Sequence, residues 1–128
     1  MPRVIAPALV AKPASAYAQG IVHSGGAERL LIAGQIGITP DGTILEGAEA
    51  QMEQAWQNLF AVLRAAGFER KHLVRLTVYV TDASLVGLYR TVRDRFMEGH
   101  LVAMTFLVVQ ALAAPKLVFE VDGEAVRE

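Results

Sequence analysis

The sequence of 128 residues contains no cysteine and no long apolar segment. The lack of cysteine excludes disulfides, thiol nucleophiles and thiolate metal ligands. A membrane span needs about 18 consecutive apolar residues, and the longest candidate, 101–112, is interrupted by Thr105 and Gln110. The first eleven residues lack an apolar core of signal-peptide length. We therefore expect a soluble cytoplasmic protein with no membrane partner.

The sequence also lacks a large net charge and the common nucleotide-binding and nucleophile motifs. Twelve Lys and Arg against 13 Asp and Glu leave a net charge of -1, which offers no bulk attraction for nucleic acid. No Walker loop, no G-x-G-x-x-G after a strand and no G-x-S-x-G elbow is present. His23, His72 and His100 lie on different elements without metal-ligand spacing. We expect no metal and no nucleic-acid partner.

Hydrophobic residues, in contrast, are abundant. They make up 53% of the chain, and the mean hydropathy is +0.35, both high for a small soluble protein. A mass of 13.8 kDa indicates a single domain spanning 1–128, and folding should bury about two-thirds of its surface. The excess of apolar side chains indicates a subunit interface.

Apolar periodicity predicts an α+β protein. Apolar residues at helical spacing predict two helices, the first ended by Gly67 and the second capped by Asp82 or Ser84 and ended by Gly99. Pro40-Asp41-Gly42 predicts a turn. The predicted elements, in order, are strands 3–5, 20–23 and 29–36, helix 48–66, strand 73–80, helix 84–98, and strands 104–112 and 117–126, with 20–23 and 29–36 forming a hairpin around 24–27.

Two helices can cover only one face of the sheet. In the strand predicted at 104–112, Leu107 and Val109 alternate with Phe106 and Val108, so both of its faces are apolar. The uncovered face then needs an apolar partner, and copies of the same chain are the simplest one. We expect a mixed sheet with two helices on one face, packed into a homo-oligomer.

The only basic cluster is on the second predicted helix. Arg90 and Arg93 are three residues apart, and Arg95 is close by. A solvated face with Asp94 or Glu98 as ionic partners is one interpretation. An anion or RNA site is the other, although no interleaved aromatic residues support RNA binding.

Three carboxylates share one face of the last predicted strand. Glu120, Asp122 and Glu124 alternate with apolar residues or glycine. Asp122 and Glu124 are expected to be solvated, and Glu120 to lie deeper. A carboxylate at that depth must be paired, hydrogen-bonded or shifted in pKa. A functional carboxylate and a buried ion pair both remain open from the pattern alone.

Six segments carry a family resemblance. They are YAQG (17–20), LLIAGQI (30–36), QAWQNL (54–59), VLRAAG (62–67), VRLTVYVTD (74–82) and LVFEV (117–121). In order and spacing they resemble the RidA family, also labelled endoribonuclease L-PSP, over about 13–126. The resemblance implies a chorismate-mutase-like fold, assembled as a homotrimer with a central barrel of sheets. Clefts for a small-molecule ligand are expected between neighbouring subunits.

The resemblance also implies an activity and its residues. Active members hydrolyse enamines and imines such as 2-aminoacrylate to a 2-keto acid and ammonia, without metal or cofactor. A Glu on the last strand positions water, a Tyr near the N-terminus lines the pocket, and an Arg before the fifth strand binds the substrate carboxylate. By this resemblance Glu120 and Tyr17 are the catalytic candidates.

The substrate-binding positions carried over from the family are mixed. Gly34 matches, whereas Ala33 stands where the family has Ser, and Met104 stands where it has the carboxylate-binding Arg; Thr105 and Phe106 follow Met104. Loss of a bidentate guanidinium contact should weaken turnover of carboxylate substrates by about ten- to a thousandfold.

Several interpretations of this divergence stay open. The cleft is retuned for an uncharged or apolar ligand, or the protein is a non-catalytic ligand-binding or chaperone-like paralogue. Arg90 or Arg93 is a possible substitute cation for the one lost at Met104. RNA cleavage, which only the family label suggests, is disfavoured by the charge.

Overall fold

The computed structural model describes residues 3–6, 8, 12–13, 15–18, 20–25 and 27–128. Within them the chain forms six strands and two α-helices in the predicted order. These are β1 (Arg3–Ile5), β2 (Gly20–Val22), β3 (Glu28–Ile36), α1 (Ala48–Ala65), β4 (Leu73–Val80), α2 (Val86–Met97), β5 (Ala103–Val108) and β6 (Phe119–Arg127).

The main sheet has four strands in the order β3-β6-β4-β5. β6 runs antiparallel to both β3 and β4, whereas β4 and β5 are parallel. A parallel pair needs a crossover connection, and α2 provides it. The predicted α+β class with a mixed sheet is confirmed.

The predicted hairpin of 20–23 with 29–36 is wrong. β2 pairs with β1, with Ile5 opposite Gly20, and β3 pairs with β6. The physical reason is length: β3 and β6 have nine residues each, so their ladder makes far more hydrogen bonds than the three-residue β2 can offer. Gly26, in the predicted turn, lies outside the described residues.

β5 and β6 are both shorter than their predicted strands 104–112 and 117–126. β5 ends at Val108 because its partner β4 ends at Val80; one further bond joins the Val109 N–H to the Val80 carbonyl at 2.8 Å. The chain then turns before β6 begins at Phe119. Apolar character alone therefore overstates these strands.

The helix ends follow the predicted signals closely. The Asp82 side chain accepts a hydrogen bond from the Ser84 N–H at 2.9 Å, which makes Asp82 the cap of a short 3-10 turn, Ala83–Leu85, ahead of α2. α2 is followed by Gly99 at φ 84, and α1 by Gly67 at φ 79. The predicted turn at 40–42 also forms, closed by the Gly42 N–H bonded to the Thr39 carbonyl.

Both helices pack on one face of the four-stranded sheet, as predicted. The core contains Trp56 and Leu59 of α1, Tyr89 of α2 and Val78 of β4, together with Phe119 and other apolar residues. Burial alternates along β6, with Val121 buried between half-buried Glu120 and Asp122. The polar side chains of β6 therefore line the face that the helices leave uncovered.

A buried amide, unmarked in the sequence, holds the start of β6 against α1. Gln51 is buried; its Nε2 donates to the carbonyls of Leu45 and Lys116, and its Oε1 accepts from the Val118 N–H.

Among the described residues, no helix is long and apolar enough to cross a membrane.

Candidate functional site

A small cavity lies between α2, β5 and the segment 15–18. Its volume is about 230 Å³. It brings together five of the residues singled out in the sequence: Tyr17, Arg90, Arg93, Met104 and Phe106. The complete lining is Ser15, Tyr17, Val86, Tyr89, Arg90, Arg93, Met104 and Phe106.

Backbone pairing places Tyr17 at this cavity. The Ala18 N–H donates to the Val102 carbonyl at 2.7 Å, and Ala18 forms a parallel bridge with Ala103 at the start of β5. This bridge extends the β4–β5 edge by a single residue pair and sets Tyr17 beside Met104. Gln19 of the YAQG segment lies outside the described residues.

The β5 residues at the cavity alternate in direction. Met104 and Phe106 pair with buried Leu76 and Val78 of β4 and pack against the core. Thr105 lies between them, so its side chain is on the other face of the sheet. The structure thus separates Thr105 from the two residues with which it was grouped in the sequence.

Tyr89 and Arg93 form the α2 wall of the cavity. The Tyr89 hydroxyl contacts the Met104 sulfur, and burial raises the pKa of Tyr89 to about 12. Its ring lies 5.1 Å from that of Phe106 and 5.4 Å from the Arg93 guanidinium carbon. The phenol therefore stays protonated at neutral pH and acts as a hydrogen-bond donor.

Of the two interpretations of the basic cluster, the solvated face is wrong for the exposure of Arg93 but right about Asp94 as its ionic partner. The Arg93 side chain is only 3% exposed, paired with Asp94 at 2.9 Å and bonded to the Ser15 hydroxyl at 3.3 Å. Arg90 is exposed, and Arg95 pairs with glutamates of α1 instead of with its own helix. Sequence spacing held a clue: Arg93 follows buried Tyr89 by four residues and so shares its helix face.

Glu120 lies on the opposite face of the sheet from Met104. It pairs with Tyr79 of β4 and with Ile36 of β3. A Cβ on Gly34 would collide with the Glu120 carboxylate, so the glycine leaves the space that the carboxylate occupies. No described residue donates a hydrogen bond to this carboxylate. Burial, and then the charge of Asp122, raise the pKa of Glu120.

The other two carboxylates of β6 are not simply solvated, contrary to prediction. Asp122 accepts a hydrogen bond from the Tyr79 hydroxyl at 2.7 Å, and Glu124 pairs with Arg29 at 3.0 Å. The bond to Asp122, with burial, raises the pKa of Tyr79. Of the three, Glu120 is the carboxylate to which no described residue donates a hydrogen bond or a compensating positive charge.

A depression of about 360 Å³ continues the Glu120 face. It contains Ala33 and Gly34 of β3, Thr77 and Tyr79 of β4, and Asp122. No group of three or more His, Asp or Glu able to hold a metal ion occurs in the described part of the chain. Of the histidines, His72 accepts the Glu69 N–H and His100 bonds the Leu73 carbonyl, which are structural contacts.

The pKa of Glu120 leads to a prediction about stability. Because burial raises this pKa above 4.5, the folded protein binds the proton more tightly than the unfolded chain does. Ionised Glu120 therefore destabilises the fold above its folded pKa, and the cost vanishes below about pH 4. We expect Glu120→Gln to be more stable than wild type at about pH 7 and equal to it below about pH 4.

Chemical denaturation at the two pH values measures this difference. Glu124→Gln is the matched control on the same strand, and it should show no gain because its carboxylate pairs with Arg29. A Glu120→Gln variant that is less stable than wild type at neutral pH would contradict the prediction.

The predicted site residues thus form two groups. Tyr17, Met104 and Phe106 lie at the cavity on the helix side, whereas Gly34 and Glu120 lie on the uncovered face. One chain cannot bring both groups to the same small ligand, because its own sheet lies between them.

Comparison with known proteins places the chain in a family. The endoribonuclease L-PSP family model matches residues 8–127, almost the whole chain. The chain belongs to the RidA (endoribonuclease L-PSP) family. Relatives in this family include a 2-iminobutanoate/2-iminopropanoate deaminase of Rattus norvegicus, 30% identical over 99 residues, which are 76% of this chain and 70% of that protein.

A RutC family protein of Aquifex aeolicus is 39% identical to this RidA-family chain over 71 residues. That match spans 55% of this chain and about half, 54%, of the Aquifex protein.

Solved RidA-family structures share the fold. YyfB of Yersinia pestis, a Rid-family protein of unknown function, has a TM-score of 0.87 and 31% identity, with 97% of each chain covered. RidA of an Antarctic Psychrobacter species has a TM-score of 0.73 and 27% identity, covering 96% of this chain and 98% of that one. The fold expected from the resemblance is confirmed.

Proposed function

We propose that this RidA-family protein hydrolyses small imines or enamines derived from amino acids to 2-oxo acids and ammonia, without metal or cofactor. The observation that carries the proposal is Glu120, a half-buried carboxylate that no described residue neutralises and that Gly34 makes room for. The similarity to the rat 2-iminobutanoate/2-iminopropanoate deaminase supports the substrate class.

Glu120 acts as the general base. In the first step a water oxygen bonds to the carbon of the protonated imine, a water proton passes to Glu120, and the C=N electron pair moves onto nitrogen. In the second step Glu120 returns the proton to nitrogen and is ionised again. The hydroxyl proton then passes to Glu120 as C=O forms and the C–N bond breaks, and the released ammonia takes up that proton as ammonium. A raised pKa of Glu120 suits this role, because a base is most effective when its pKa is near the working pH.

A second copy of the chain completes the site. Glu120, Ala33, Gly34 and Thr105 of one copy face the ligand together with the Tyr17 and Met104 cavity of its neighbour, in a cytoplasmic homotrimer. Tyr17 contacts the substrate there, and Phe106 borders it. Exposed apolar side chains on the uncovered face, Leu31 at 65% and Leu107 at 43% exposure, support burial against other copies. Light scattering of the purified protein measures the assembly.

The test is ammonia release from freshly generated 2-iminopropionate. The wild-type protein is expected to accelerate it over the buffer rate, and Met104→Arg is assayed beside it. Acceleration by the wild type supports hydrolysis and means that another residue binds the carboxylate. If a folded wild-type protein does not accelerate ammonia release, the proposal is wrong for this substrate. If Met104→Arg does not accelerate it either, the proposal that the protein is a hydrolase is wrong.

A non-catalytic ligand-binding role is the second candidate. It is favoured by Met104, which forms an apolar wall at the position where a charged side chain would bind the carboxylate of a substrate. It predicts binding without product formation, and ligand-detected NMR against a metabolite mixture measures this directly. Formation of ammonia from any bound imine would exclude it.

A further inference from the structure

We infer that Arg93 of α2 is the carboxylate-binding residue of the cavity that holds Tyr17 and Met104, and that its ligands are small 2-imino or 2-oxo monocarboxylates with an apolar side chain. The inference deepens the proposed function and rests on it for the imine. The carboxylate site itself is testable without turnover.

Arg93 is a buried charge that its partner satisfies on one edge only. Both its Nε and Nη2 approach a single oxygen of Asp94, at 3.0 and 2.9 Å, and the Asp94 side chain is 58% exposed. On the other edge Nη1 makes one long bond, 3.3 Å, to the Ser15 hydroxyl. A guanidinium has five N–H donors; beyond Asp94 and Ser15 its hydrogen-bonding neighbour is the neutral Tyr89 hydroxyl, and no second carboxylate pairs with it in the part of the chain that the structure describes.

The edge of Arg93 that carries no carboxylate partner lies at the cavity wall. Ser15, which marks that edge, and Arg93 itself both line the cavity. A carboxylate there could take two parallel hydrogen bonds from the fork of the guanidinium. Arg90 lines the same cavity and adds a second positive charge, so with Asp94 the local sum is +1, which favours a monoanion.

The remaining wall selects the other end of the ligand. Met104 and Phe106 present a flexible thioether and an aromatic ring to the same space. A volume of about 230 Å³ is below the range of about 300–1,000 Å³ usual for drug-sized ligands. The cavity therefore fits a short acid whose aliphatic side chain packs on Met104.

The experiment compares acids with their neutral amides. Pyruvate and 4-methyl-2-oxopentanoate, and the amide of each, are titrated into the wild-type protein and followed by calorimetry. We expect the acids to bind better than the amides, and 4-methyl-2-oxopentanoate better than pyruvate. Arg93→Met should weaken binding of the acids by about ten- to a thousandfold and leave binding of the amides unchanged.

Matched variants separate this role from a structural one. Arg95→Met, on the same helix but paired with Glu49 and Glu53, should bind both ligand types as wild type does. Arg93→Lys should keep part of the acid preference, because it keeps the charge without the fork. In the double variant Arg93→Met/Met104→Arg, a guanidinium returns to the cavity from β5, and acid binding should recover.

The outcomes are decisive. Equal binding of acid and amide by the wild type, or an acid preference unchanged in a folded Arg93→Met, overturns the inference. If Arg93→Met does not fold, two other results test the inference: the preference of the wild-type protein for acids over amides, and the reduction of that preference in Arg93→Lys. If acid binding depends on Arg93 but no ammonia is released, this inference stands and the proposed hydrolysis fails. If 2-iminopropionate is hydrolysed at the same rate with and without Arg93, the proposed hydrolysis stands and this inference fails.

Discussion

Glu120→Gln is expected to lower kcat for hydrolysis of 2-iminopropionate by about 10²–10⁴-fold, the usual contribution of a positioned general base. The amide has nearly the same shape as the carboxylate and fits the space beside Gly34, so fold and assembly should be retained. It cannot take a proton from water, so the attacking water loses its base. Ammonia release from freshly generated substrate, with light scattering of the same sample, measures both expectations.

Glu124→Gln is the control for this loss. It removes a carboxylate from the same face of β6, four residues away, where the charge is paired with Arg29, and it should leave kcat within about twofold. Wild-type activity in Glu120→Gln would remove Glu120 from the mechanism. An equal loss in the two variants would instead indicate a general effect of negative charge on this face.

Gly34→Ala is expected to reduce the same activity by about a hundredfold although it removes no polar group. The added Cβ would occupy the position of the Glu120 carboxylate. Because that carboxylate is the far end of a flexible side chain, it should swing aside while the fold is kept. A misplacement of about 1 Å in a reacting group can cost about 10²-fold in rate. The activity assay, with a thermal melt to confirm folding, is the measurement.

Two further variants make the Gly34 prediction specific. Gly87→Ala, in α2, places a Cβ where no atom lies within 4 Å; activity should be unchanged and stability higher by up to about 1 kcal/mol. In the double variant Gly34→Ala/Glu120→Gln, the loss should equal that of Glu120→Gln alone, since both changes act through one carboxylate. If the loss of activity in the double variant equals the product of the two single losses, Gly34 acts through a group other than the Glu120 carboxylate.

Much of the fold could be predicted from local patterns. The helical spacing of apolar residues and the glycines at 67 and 99 located both helices, because periodicity and left-handed backbone are properties of the segment itself. The period of two along 119–124 placed Glu120, Asp122 and Glu124 on one face correctly, for the same reason. Strand pairing, in contrast, depends on segments far apart in the chain. The predicted hairpin of 20–23 with 29–36 was wrong because β3 pairs with β6 instead of with β2.

The candidate site was predictable only in its residue types. Family resemblance pointed to Tyr17, Met104 and Glu120, but their spacing in the chain does not show which share a cavity. Arg93 was left open between a solvated face and an anion site. In the structure Arg93 bonds Ser15 of the segment 15–18, a long-range contact that no local pattern encodes.

The sequence by itself determined the elements of this protein and the face of each on which a side chain lies, since both follow from the period of a helix or strand. Only the tertiary structure decided that Met104 and Glu120 are on opposite faces of one sheet. The register of β4 decides this: it sets Leu76 beside Met104 and Tyr79 beside Glu120, three residues apart and therefore pointing to opposite sides.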